Sequence, residues 1–453
     1  MRRVPSEPRP DWQRRIEAQG LVFGTTDLPD GGQAPYWFEG ARYELTLAQV
    51  EELEEVTEEL HGMCVEAAHL LASGAMGRIG LPPGALELAK ESLAADPPSL
   101  LGRFDLRYDG RGPAKLLEYN ADTPTGLLES AVVQWYWLQD THPELDQWNS
   151  LHERLVAGWA NLADRLPTGT VYFAYHEGEP TGEEFMTTTY LRDTCDQAGL
   201  PTAAITMGQI GYDPRRRCFV GAGEEPLRTC FKLYPWEHML AEDFGAHIEA
   251  RPVGVLSTTW IEPPWKVLLS NKALLAALWR LYPDHPNLLP AYLEHPGPLE
   301  SWVAKPLHGR EGDNIRIHAP DDGVELIQPG DYGAEGWCYQ QWAPLPDFDG
   351  NKAVLGSWVV DGHAAGVGIR ESDGWVTDYY ARFVPHLITA AAPSEQERAD
   401  WLADTEREAV QDVVRGRRPD GRPVGPQMPV LSGPARPHDR PTDIPDLLRK
   451  EPM

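Results

Sequence analysis

Two short runs place charged and amide side chains two residues apart: Arg103-Phe104-Asp105 and Glu118-Tyr119-Asn120. In a strand, residues i and i+2 face the same side. The surrounding stretches, Gly102-Arg-Phe-Asp-Leu-Arg-Tyr and Lys115-Leu-Leu-Glu-Tyr-Asn, alternate like strands, and Tyr108-Asp-Gly-Arg-Gly-Pro between them is turn chemistry. A hairpin over residues 102–120, closing around 109–112, gathers all four polar side chains on one face. Asp105, Glu118 and the amide oxygen of Asn120 then form a site for a hard cation such as Mg²⁺, which takes oxygen ligands and shares them with phosphates. A solvent-facing polar strand is the plainer reading of the same spacing. Asp122 adds a further carboxylate, although Asn-Ala-Asp-Thr-Pro also makes an ordinary turn or cap.

A second group carries positive charge. Trp302-Val-Ala-Lys305 reads as a strand ending in a lysine, followed by Gly309-Arg310-Glu311-Gly312. Glycines let backbone N–H groups approach phosphate oxygens, and a lysine adds a point charge. The Gly-Lys-Ser/Thr ending of a Walker loop is absent. Lys272 opens the helix that begins Ser-Asn-Lys-Ala-Leu-Leu, where it either holds a phosphate or lies in solvent. Cys338-Tyr-Gln340-Gln341-Trp342-Ala343 is a short strand carrying amides, suited to an adenine edge or simply to burial. Arg370-Glu371 closes a strand either as a surface ion pair or with the arginine over a transferring phosphate.

The elements that must position these residues follow from periodicity. Residues 45–75 and 84–94 read as amphipathic helices, and 127–166 as mostly helical with a break at Pro143. A strand at Val171–Tyr175, a helix over 183–199 and a strand near Ala203–Met207 suggest a βαβ lobe. Asn271–Tyr282 is helical, while Val354–Val360 and His363–Arg370 are strands. From about residue 390 an acidic helix (Glu395–Val414) leads into an Arg/Pro-rich tail, expected to be disordered.

Composition sets outer bounds. The 453 residues carry a formal charge of −29, which disfavours nucleic acid and anionic membranes as partners. No run approaches the ~18 apolar residues a membrane helix requires, and the N-terminus lacks the apolar core of a signal peptide. Five cysteines without a CxxC pair argue against a disulfide framework or zinc site and for a reducing, cytoplasmic setting. The sequence says nothing about oligomeric state.

Taken together and in order, the motifs resemble a known family. Gly-Arg-Phe-Asp, Leu-Glu-Tyr-Asn-Ala-Asp-Thr-Pro, Leu-Ser-Asn-Lys-Ala-Leu-Leu, Lys-Pro-Leu-x-Gly-Arg-Glu-Gly, and Gly-Ser-Trp-x-Val-x-Gly with Gly-Ile-Arg-Glu are similar to the synthetase domain of glutathionylspermidine synthases. The resemblance spans about residues 10–390 and implies an α+β, permuted ATP-grasp fold of glutathione-synthetase-like order, with mixed sheets and flanking helices. It implies an ATP- and Mg²⁺-dependent ligase joining a peptide or small acid to an amine, a polyamine such as spermidine among the acceptors. Asp105, Glu118 and Asn120 match the family's metal ligands, and Arg103 and Arg370 its catalytic arginines. Lys272, Lys305, Glu311, Gly312 and Gln340, Gln341, Trp342 and Ala343 match its nucleotide site. Thr123, Thr125 and Glu129 fall where substrate is held. The family's Ser-x-Ser-Cys is here Thr123-Pro-Thr125-Gly126, without the thiol. The N-terminal amidase domain of bifunctional relatives is not expected. A nucleotide-binding pseudoenzyme or partner-binding module of the same fold is the alternative, as is a phosphotransferase sharing the phosphate machinery.

Overall fold

The computed structural model describes residues 1–28, 31–178, 181–248 and 256–389. The expected acidic helix and tail beyond residue 390 lie outside the described residues. Three sheets position the candidate site. The central one is antiparallel throughout, in the order Arg382–Val384, His363–Ser372, Asn351–Val360, Leu101–Arg107, Lys115–Asn120. The second is also antiparallel: Ala291–Leu293, Trp337–Gln341, Trp302–Pro306, Arg316–Ala319, Val324–Ile327. The third is the expected βαβ lobe, with parallel strands Thr259–Ile261, Thr229–Lys232, Val171–Tyr175 and Thr202–Thr206. Helices flank these sheets, so the α+β class holds, but each of the three sheets is unmixed; among the described residues the smaller sheet of Arg2–Pro5, Ala41–Thr46 and His386–Thr389 combines antiparallel and parallel pairing.

The helix Leu47–Ala72 buries Leu53, Leu60, Cys64 and Ala67 against the central sheet's back face, which contributes Phe104, Leu106 and Leu355 to one core. It starts two residues later than its apolar spacing predicts. Thr46 accepts from the Gln49 N–H while the Gln49 side chain accepts from Thr46, a reciprocal cap that fixes the start. Leu45 consequently belongs to the strand Ala41–Thr46.

The hairpin forms where expected, as Leu101–Arg107 and Lys115–Asn120. Its second strand does not alternate strictly. Asp105 pairs with Glu118, yet Leu106 pairs with Leu116, so Leu117 bulges out of register. Adjacent Leu116 and Leu117 were the visible sign of this in the sequence.

Candidate active site

Strand register brings the four hairpin side chains together. Arg103 lies opposite Asn120 and Asp105 opposite Glu118, and directly opposed residues project to the same face. Arg103 Nε donates to Asp105 Oδ1 at 2.9 Å, and Arg370 Nη2 to Asp105 Oδ2 at 2.5 Å. A second Arg103 nitrogen donates to the Thr125 carbonyl. The guanidinium lies 5.9 Å from the Trp358 ring centre. Room for this arginine comes from Gly356 on the neighbouring strand, where a Cβ would sit 3.0 Å from Arg103 Cδ.

Glu118 takes Asn120 Nδ2 at 3.0 Å and faces Lys272 Nζ at 3.2 Å. Burial pushes its carboxyl up, but Lys272, Lys305, the Asn120 amide and Arg103 outweigh this and hold it well below the usual carboxylate range. Each carboxylate oxygen keeps acceptor capacity beyond these contacts. Two carboxylates and an amide oxygen on one face therefore fit a hard divalent cation. Among the described residues no cluster of three or more His, Cys, Asp and Glu offers another metal site.

The lysines come from two other elements. The Ser270-Asn271-Lys272 turn precedes the helix Ala273–Leu281. Ser270 Oγ accepts the Ala121 and Asp122 N–H groups, which fixes the chain leaving the hairpin. Lys272 Nζ also donates to the Gly309 carbonyl at 2.7 Å. Lys305, at the end of its strand, donates to the Leu117 carbonyl at 2.7 Å and to Gln340 Oε1 at 2.8 Å. Burial pulls its ammonium down to about 8, against the opposing pull of Glu118. Four cations, Arg103, Lys272, Lys305 and Arg370, thus surround two carboxylates, Asp105 and Glu118. In a chain of net charge −29, this local positive excess favours an anion with several charges.

The two sheets enclose a cavity of about 210 Å³ lined on one side by Arg103, Asp105, Glu118, Asn120 and Arg370. The facing wall is apolar: Val303, Ile317, Trp342, Trp375 and Val376 all line it, and belong to one small apolar cluster. Glu311 and Gly312 of the glycine loop line the cavity too. Gly312 has φ +74°, and a Cβ there would meet Val376 Cγ1 at 2.4 Å, so the loop's fit against residues 376–378 requires glycine.

Of the expected adenine-side residues, Trp342 and Ala343 line the cavity. Gln341 is exposed, and Gln340 is buried behind Lys305. Thr123 and Thr125 line the cavity. Glu129 is buried outside its lining, where it accepts from Tyr36 Oη at 2.6 Å. Burial raises the Glu129 carboxyl above its ordinary range.

Two readings of neighbouring residues change. Arg370 and Glu371 do not pair, because successive strand residues point to opposite faces. Glu371 is instead fully buried, accepting from Arg3, Tyr43 Oη and Arg382. Asp122 does not join the metal face: it is buried in an ion pair with Lys232 at 2.6 Å and accepts the Trp236 N–H. Sequence reasoning also missed Arg310, which bridges Thr123 Oγ1 (2.8 Å) and Glu237 Oε1 (2.7 Å). The five cysteines are free and buried, and burial raises every thiol, Cys338 to about 12. None is poised as a nucleophile. No described helix is long and apolar enough to cross a membrane.

Comparison with known proteins finds similar chains. The glutathionylspermidine synthase preATP-grasp family model matches residues 3–389. A putative acid–amine ligase from Haemophilus influenzae is 40% identical over 86% of this chain and 100% of its own length. Trypanothione synthetase from Crithidia fasciculata is 28% identical over 67% of this chain, a match that spans 50% of that protein. A glutathione synthetase-like effector from Globodera pallida superposes with a TM-score of 0.49 at 11% identity, covering 84% of this chain and 98% of that one.

Proposed function

The chain belongs to the glutathionylspermidine synthase family of ATP-dependent carbon–nitrogen ligases, and on that premise we propose that it joins a carboxylate to an amine through an acyl phosphate. The observation that carries this reading is the cross-strand pairing of Asp105 with Glu118 on one wall of a cavity that Arg103, Arg370 and Lys305 also line, with Lys272 against Glu118. Residues 1–390 form the synthetase unit in this reading, with the permuted ATP-grasp order of metal hairpin before nucleotide lysines, and 391–453 an appended tail.

Asp105, Glu118 and Asn120 would hold Mg²⁺, which supplies charge neutralisation at the β- and γ-phosphates of bound ATP. Lys272 and Lys305 bind those phosphates, and the glycine loop at Glu311-Gly312 covers them. The apolar wall with Trp342, Ala343 and Trp375 takes the base. A substrate carboxylate oxygen attacks the γ-phosphorus, the bond to the bridging oxygen of ADP breaks, and an acyl phosphate forms. The amine nitrogen then attacks the acyl carbon, loses a proton and expels phosphate, leaving an amide. Arg103 and Arg370 stabilise charge, first on the transferring phosphoryl group and then on the tetrahedral carbon. Covering the site keeps water from the intermediate.

Thr123 and Thr125 line the cavity and are assigned to substrate, while Glu129, buried outside the lining, bonds Tyr36 behind it. The relatives' names point to a peptide acid such as glutathione and to a polyamine such as spermidine. Thr123-Pro-Thr125-Gly126 offers hydroxyls and no thiol, which favours an acid other than glutathione.

The test is ADP release from the purified protein with ATP and Mg²⁺ over a matrix of acids and amines, with mass spectrometry of the products. The expected result is ADP, phosphate and an adduct lighter by one water than the acid plus amine. A stable phosphorylated acid with no amide would make the protein a phosphotransferase instead.

A further inference from the structure

Gln340 is fixed at both ends of its amide. Its Oε1 accepts from Lys305 Nζ at 2.8 Å, and its Nε2 donates to the Leu116 carbonyl at 2.8 Å. Lys305 Nζ donates in turn to the Leu117 carbonyl at 2.7 Å. Both carbonyls belong to the bulged stretch of the hairpin's second strand, where the register shifts. Gln340 is 2% exposed and Lys305 8%. Lys305 lines the cavity, whereas Gln340 is not among its lining residues. An ammonium has three N–H donors. Two are directed to Leu117 and Gln340, which leaves one for an anion in the cavity.

Resting on the nucleotide-site reading above, we propose that Gln340 is a positioning residue that locks Lys305 against the hairpin bulge, aiming its remaining N–H at nucleotide phosphate, and that it does not read the base. The bulge then has a task. Lys115–Asn120 is the edge strand of its sheet, and the Leu116 N–H already points outward to the Asn287 carbonyl, so the Leu116 carbonyl is open to take the glutamine. The bulge turns Leu117 out of the ladder, and its carbonyl takes the lysine. One amide thereby joins the strand carrying Glu118 to the sheet carrying Lys305, so the metal ligand and the phosphate lysine keep a fixed separation. Removing the amide leaves a buried ammonium short of an acceptor and a buried carbonyl short of a donor.

The experiment is calorimetric binding of adenosine, ATP and GTP, with Mg²⁺, to the wild type and to Gln340→Met. ATP affinity is expected to fall about tenfold, the size of one hydrogen bond to a charged group, with adenosine binding and the ATP:GTP preference unchanged. In a Lys305→Met background, adding Gln340→Met should change ATP affinity by less than about twofold, since the lysine it positions is gone. A merely structural role would lower affinity for all three ligands and persist in that background. If Gln340→Met does not fold, Gln340→Glu, which keeps the acceptor and withdraws the donor to Leu116, should also weaken ATP without weakening adenosine. A changed ATP:GTP ratio, or an unchanged ATP affinity, overturns the positioning role alone. A wild type that binds no nucleotide overturns both this role and the reading it rests on.

Discussion

The two walls of the cavity are built on opposite principles. The hairpin wall is almost entirely charge: Arg103, Asp105, Glu118 and Asn120 bond to one another and to Arg370 and Lys272. The facing wall is Val303, Ile317, Trp342, Trp375 and Val376, with Lys305 as its charged member. The difference teaches where energy is placed. Charge stabilisation is worth most where charge develops during a reaction, while an apolar slab gives affinity without favouring one step over another. Substitutions on the first wall should therefore damage turnover, and those on the second should damage binding.

Glu118→Gln should have the largest effect. It keeps shape and removes a metal charge, and kcat should fall about a thousandfold, at the upper end for loss of one electrostatic stabiliser. Loss of the carboxylate among Lys272, Lys305 and Arg103 should also lower the melting temperature, so kcat is read at a temperature where the variant is folded by circular dichroism. Retained turnover would contradict the metal assignment. Arg370→Ala should follow, with a loss of about a hundredfold in kcat and little change in the KM for ATP. A rise in KM with unchanged kcat would place Arg370 among groups that bind substrate and transition state equally.

Trp375→Ala tests the other wall. Losing one aromatic face should raise the KM for ATP roughly two- to tenfold, by the ~0.5–1.5 kcal/mol of such contacts, and leave kcat alone. A larger loss in kcat than in affinity would erase the contrast between the walls.

How much of this was legible follows from how each contact is made. The hairpin was legible because its chemistry recurs at i and i+2. The glycine loop was legible because close packing there needs glycine, and Gly312 has a positive φ. The same strand rule, applied to Arg370-Glu371, would have separated these two residues, since neighbours in a strand cannot share a face. Contacts made between distant stretches left no local period. Arg310 meets Thr123 across 187 positions and Lys232 meets Asp122 across 110. Gln340 appears in the sequence as a polar residue on a short strand, and only sheet pairing turns it toward Lys305.

The smallest expected effect lies at the edge of the charged wall. Burial pushes Glu237 up, but Arg310 and His308 outweigh this and bring its carboxyl down to about 2, from an ordinary value near 4.5. A carboxyl lowered by folding contributes stability that is complete above about pH 4.5 and is lost as pH falls toward 2. Glu237→Gln should flatten that part of the profile of stability against pH, read by thermal unfolding across the window, and an unchanged slope would dissociate Glu237 from Arg310.

In the proposed function, Asp105 and Glu118 hold a metal that delivers ATP to this cavity. The most direct measurement is a thermal-shift titration with ATP, with and without Mg²⁺, on the wild type and Glu118→Gln. A ligand at a hundredfold excess over its Kd stabilises the folded state by about 2.7 kcal/mol. A magnesium-dependent shift is expected in the wild type and is lost in the variant. No shift with ATP and Mg²⁺ in the wild type, or an equal shift in Glu118→Gln, would contradict it.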